Sequence, residues 1–172
     1  TQGEQAVSKF GEGDIQGCLD TWKRMLADKD ASQTRNNLAF CQIVTGDFAG
    51  GLENAAKAVA GDYEPLYELN KGVASSLLGD TEGAKKCLRN ALNAQRARGD
   101  KYFSDAAFLL VLEPDLKRVG AQPDLLVEVA ILMNLWRIGD LPRGELEADL
   151  TRLAPEKARS LLETLDSAQS AS

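Results

Sequence analysis

The dipeptide Gly-Asp occurs six times in this chain, where random pairing would give about one. Gly13-Asp14, Gly46-Asp47 and Gly79-Asp80 are spaced 33 residues apart, and Gly139-Asp140 sits in a similar local setting after an interruption. A chain with such a period folds as a series of like units, each burying its apolar face against the next. A Gly after an apolar periodic segment takes the left-handed conformation that ends a helix. The Asp beside it caps the following helix by accepting from free backbone N–H groups. The unit is helix, tight turn, helix.

Aligning the copies on these glycines tests the idea, because a true repeat carries similar residue sizes at matching offsets. Five residues after the Gly stand Cys18, Gly51, Ala84 and Gly144, all small. Seven before it stand Ala6, Ala39, Gly72 and Leu132, and twelve after it Met25, Ala58, Ala91 and Thr151. Nine after it come Trp22, Ala55, Leu88 and Ala148. The spacings of four and three place the second-helix set on one face, where the two helices of a hairpin cross closely.

With Leu38-Ala39, Gly46-Asp47-Phe48, Gly51 and Ala58 in the second unit, and Gly72, Gly79-Asp80, Ala84, Leu88 and Ala91 in the third, the arrangement resembles the tetratricopeptide repeat (TPR). The first unit keeps Ala6, Gly13, Trp22 and Met25, and the fourth keeps Ile131, Gly139 and Pro155. The usual Trp and Tyr of the first helix are missing. A 33-residue period also suggests ankyrin, but no T-P-L-H segment is present. The resemblance implies an all-α, right-handed α-solenoid of about four TPR-like hairpins in a single domain. Its units fall at about 1–31, 32–64 and 65–98, with an insertion at 99–123, a degenerate unit at 124–154 and a capping helix at 155–168.

Caps and periodicity predict helices at about 3–11, 14–28, 32–45, 48–60, 65–78 and 80–98. After the insertion, Asp124 is expected to cap a helix to Ile138, Pro142 to begin one ending near Leu153, and Pro155 to begin the last. The tail from Ser167 is expected to fray.

In the resembled family the first helix of each unit lines a concave groove. That implies a partner-binding surface of Asn36, Asn37, Phe40 and Val44 in the second unit, and Leu66, Leu69, Asn70, Val73 and Leu77 in the third. Met133, Trp136 and Arg137 complete it in the fourth. Such an apolar groove suits an amphipathic helix or an extended peptide, or the chain's own inserted segment. Asn37 and Asn70 fall where family members hold a ligand backbone, and an amide both donates and accepts. The alternative is that both satisfy groups within the repeat. The places where some relatives grip a chaperone's carboxyl terminus hold Gly3, Val7, Leu66 and Asn70, not Lys and Arg.

One basic run stands out, with Lys85, Lys86, Arg89 and Arg96 on one helix and Arg98 and Lys101 following. It is either a grip for an acidic partner or a solvated outer face. Over the whole chain, 26 acidic residues outnumber 20 basic ones, which opposes nucleic-acid binding.

Chemistry is constrained by the absence of His, which removes His general bases, Ser-His-Asp triads and His-containing zinc sites. Glu145, Glu147 and Asp149 alternate along a helix and do not converge as metal ligands would. Gly11, Gly13 and Gly17 lie between helices and lack a nucleotide-loop spacing. Cys18, Cys41 and Cys87 have no C-x-x-C spacing and read as small buried residues in a reducing, cytoplasmic compartment. An exported or organellar form after signal removal is the alternative. The longest apolar run, Ala106–Leu112, is too short to span a bilayer. The expected function is non-enzymatic: an adaptor, assembly factor or chaperone binding a protein or peptide, with no cofactor, metal, small-molecule substrate or membrane insertion. A subunit whose insertion fills its own groove is the alternative, followed by a helical-repeat RNA binder.

Overall fold

The computed structural model describes residues 1–103 and 125–170, with side chains to 167. Six helices come first: α1 (Gln2–Gly11), α2 (Ile15–Asp28), α3 (Ser32–Val44), α4 (Phe48–Gly61), α5 (Pro65–Leu77) and α6 (Thr81–Arg98). After the insertion come α7 (Val127–Arg137), α8 (Arg143–Leu153) and α9 (Ala158–Ser170). Most of the expected insertion lies outside the described residues. Among those described, the only β pairing is a single bridge between Phe103 and Leu126.

The Gly-Asp turns act as their chemistry requires. Gly13, Gly46, Gly79 and Gly139 all have φ between 82° and 95°, where a side chain would be strained. Asp14, Asp47 and Asp80 accept from the backbone N–H of Gly17, Gly50 and Gly83 at 2.9, 3.0 and 2.9 Å, closing the first turns of α2, α4 and α6. Asp140 does not cap. Leu141 and Pro142 separate it from α8, and its carboxylate instead receives Arg89 Nε at 2.8 Å.

Each helix packs on its neighbour in sequence, and α3, α5 and α7 also touch one another in series. The small residues allow close crossings. A Cβ on Gly51 would stand 2.6 Å from Ile43 Cγ1, and one on Gly72 would meet Leu88 Cγ at 3.0 Å. Ala6, Ala39, Ala55, Ala58, Ala84 and Ala91 are fully buried between helices. The core continues through Leu88, Leu92, Val127, Ile131, Leu135, Leu146 and Leu150 to Leu161 and Leu165 of α9. A chain with few aromatic residues thus builds its core by close aliphatic contact.

Three boundaries differ from the sequence reading. Helix α7 begins at Val127 with Leu126 as its flanking residue, while Asp124 lies outside the described residues. Helix α9 begins at Ala158, not Pro155, because Lys157 and Ala158 N–H groups both donate to Ala154 O in a turn. It extends to Ser170, past the expected fraying point. Around the insertion, Gly99 ends α6 at φ 73°. The Val127 N–H then donates to Tyr102 O at 3.2 Å, so the chain leaves and rejoins the helices side by side.

Candidate functional site

The expected groove residues divide into two sets. Asn36, Phe40, Leu69, Asn70, Val73 and Met133 are buried, whereas Asn37, Val44, Leu66, Leu77, Trp136 and Arg137 are partly exposed. Asn70 is the sharpest departure from an open ligand contact, since it is 0% exposed and its Nδ2 donates to Asn36 Oδ1 at 2.9 Å. The two amides tie α5 to α3 across 34 residues of sequence. Phe40 lies 5.5 Å from the Phe10 ring, linking α3 to α1. Asn37, the repeat equivalent of Asn70, keeps its partial exposure.

Trp136 is covered on one face by the Arg143 guanidinium, 4.8 Å from the ring centroid. Arg143 is itself held by Glu147 at 3.1 Å and Asp166 at 3.0 Å, so the pair braces the junction of α7, α8 and α9.

The basic run makes intramolecular contacts. Arg89 reaches Asp140, both its carboxylate and its backbone carbonyl. Arg96 reaches Glu128 at 3.1 Å and Asp149 at 3.5 Å. Arg98 pairs with Glu64 and Asp100, and these two carboxylates raise its pKa, the bond to Glu64 contributing most. Lys85 pairs with Glu82 at 3.4 Å, while Lys86 is exposed. Arg89 and Arg96 therefore latch α6 to the fourth hairpin across the insertion. Their acids lie 32 to 53 residues downstream, so no local sequence signal announces the pairing.

Two concavities adjoin this junction, neither of them foreseen from the sequence. One, of about 160 Å³, is lined by Phe103, Leu125, Leu126, Val129, Leu153, Ala154, Pro155 and Leu161, with Glu156 and Lys157 on its wall. That volume matches a benzene-sized cavity of about 150 Å³ and falls short of the roughly 300 Å³ or more of a cofactor site. It suits one apolar side chain. Phe103 is 46% exposed, which leaves an aromatic surface beside the opening. The other, of about 420 Å³, has a mixed lining, with Gln95, Arg96, Asp100, Lys101, Glu128 and Arg152 beside Tyr102, Leu126 and Leu153. There Gln95 Nε2 donates to Asp100 at 3.4 Å, and its buried Oε1 has no hydrogen-bond partner among the described residues.

Among the described residues no group of three or more Cys, Asp or Glu is arranged to hold a metal ion, and no helix is long and apolar enough to cross a membrane. All three cysteines are buried and free. No protein-family model matches the chain, nor does any curated protein or solved structure.

Proposed function

We propose that the chain is a non-enzymatic protein-interaction module: a right-handed α-solenoid of TPR-like hairpins that takes an apolar segment of a protein partner. The observation that carries this reading is the contact order of the helices. α3, α5 and α7 touch in series while each also packs on its hairpin mate, as stacked repeats do, and such arrays present extended surfaces for partners. The partly exposed Asn37, Val44, Leu66, Leu77 and Trp136 lie along that series. The 160 Å³ apolar pocket at its C-terminal end adds a receptacle for one anchoring side chain. An adaptor, assembly factor or chaperone role fits these features. RNA binding is opposed because Arg89, Arg96 and Arg98 are already engaged by acids.

The test is a quantitative pull-down from lysate of the native source with three proteins: the wild type, a Leu77→Glu variant and a Leu153→Glu variant, each shown by circular dichroism to fold. Partners lost with Leu77→Glu place the surface on the first helices, and partners lost with Leu153→Glu place it at the pocket. A partner list unchanged by both variants refutes the reading.

A further inference from the structure

Cys18 on α2 and Cys41 on α3 face each other with their sulfur atoms 3.2 Å apart. Both side chains are buried, at 0% and 1% exposure, and neither is bonded to the other covalently. Their repeat positions show that packing does not require sulfur. In the next unit the equivalent of Cys18 is Gly51, and in the one after it Ala84. The equivalent of Cys41 in the third unit is Ala74. Ala74 and Ala84 are buried completely, so small apolar residues fill the same places. By repeat offset, Gly51 and Ala74 hold the places between the second and third units that the two thiols hold between the first and second.

We propose that Cys18 and Cys41 form an intramolecular disulfide when the protein meets a hydroperoxide, locking the first hairpin onto the second. In the first step the Cys18 sulfur attacks one peroxide oxygen. The O–O bond breaks, Cys18 becomes a sulfenic acid, and water leaves. Cys41 sulfur then attacks the Cys18 sulfur. The S–S bond forms, the S–O bond breaks, and the departing hydroxide takes the Cys41 proton as a second water. Two thiols lose two electrons, and the peroxide is reduced to two waters. Cys18 is the better first nucleophile, because the hydrogen bond from Cys41 lowers its pKa while Cys41, hydrogen-bonded to Cys18 and buried, is pushed the other way. Forming the bond closes the sulfur gap by about 1.2 Å, within the reach of side-chain rotation and small helix shifts. The site lies where the first hairpin meets the second, near an end of the helix series, where local opening that admits peroxide costs least.

The experiment exposes the folded chain to hydrogen peroxide, blocks free thiols with iodoacetamide in denaturant, and digests with trypsin. The expected product has one alkylated cysteine, Cys87, and a cross-linked pair of peptides spanning residues 10–23 and 36–57. It unfolds at a temperature about 5 °C or more above the reduced protein. A Cys18→Ala variant, tolerated because Ala84 fills the equivalent place, should fold and give neither the cross-link nor the shift. Three alkylated cysteines after treatment, a bridge that includes Cys87, or sulfinic and sulfonic acids without the cross-link would each overturn the proposal. A Cys87→Ser variant that still forms the link separates the pair's own reactivity from exchange through the third thiol.

Discussion

Asn70 gives its side-chain amide to Asn36 inside the protein, joining the first helices of two successive units. Neither helix is otherwise tied to the other by a side-chain hydrogen bond among the described residues, so this pair fixes their sliding register. Replacing one partner strands the other in a buried place, at a cost of about 1–3 kcal/mol. Asn36→Ala and Asn70→Ala should each destabilise the fold by that amount, and the double variant by less than their sum. Guanidinium unfolding of the four proteins measures the coupling; strict additivity would mean that the bond contributes nothing.

Gly51 and Gly144 occupy the same repeat position but differ in surroundings. An added Cβ on Gly51 meets Ile43 Cγ1 at 2.6 Å and Ala39 O at 3.2 Å, whereas one on Gly144 meets nothing within 4 Å. Alanine gains roughly 1 kcal/mol of helix propensity at either site, but overpacking costs about 1–3 kcal/mol where there is no room. Gly51→Ala should therefore lower the unfolding free energy and Gly144→Ala raise it. Equal effects would show that the fourth hairpin crosses as closely as the second.

Arg96 joins α6 to both helices of the fourth hairpin, through Glu128 and Asp149. Its side chain is 45% exposed, so Arg96→Ala should cost only about 0.2–1 kcal/mol globally. The local effect is larger in kind: amide hydrogen exchange in α7 and α8 should quicken while α3 and α4 keep their protection. Uniform exchange along the chain would remove the latch role, and raised salt should reproduce the variant's pattern in the wild type.

Alkaline pH should destabilise the protein through three donors, of which Cys87 and Tyr67 are buried and Tyr63 is partly exposed. Burial pushes up Cys87, Tyr67 and Tyr63, the last also through its 2.6 Å bond to Glu68. Folded pKa values above the unfolded ones, about 8.5 for Cys and 10 for Tyr, give stability that is complete below those values. That stability is lost as pH rises toward the folded values. Cys18 and Cys41 shift in opposite senses and are best removed together, as alanines. In that background the guanidinium midpoint should hold from pH 7 to about 8 and fall between about 9 and 11, less steeply with Tyr63→Phe added. A midpoint that rises with pH would contradict the assignment.

The helices and turns were legible in the sequence because their causes are local. A Gly that must take positive φ and an Asp that caps three residues on leave a mark on the chain itself, as Gly46-Asp47 does. Asp140 shows the limit. The same dipeptide fails to cap once Leu141 and Pro142 intervene, and its carboxylate serves Arg89 instead, 51 residues away. The groove list was harder for the same reason. The family resemblance implies that Phe40, Asn70 and Val73 lie on the inner side of first helices, but not whether a neighbouring unit covers them. Asn70 is covered by its partner Asn36, whose identity at an adjacent repeat offset carries no signal of pairing. The pocket beside Phe103 joins two distant segments, 125–129 and 153–161, and no single stretch announces it.

The pinching together of Tyr102–Phe103 and Leu126–Val127 has a consequence for how such a chain changes over generations and in the laboratory. A segment whose two ends are already fastened to each other adds little strain when it grows or shrinks, since doubling its length costs only about 0.6 kcal/mol in closure entropy. The helices on either side are spared from register changes. The ends of α6 and α7 are therefore held to each other by Tyr102 and Val127 themselves, whatever the length of chain between them.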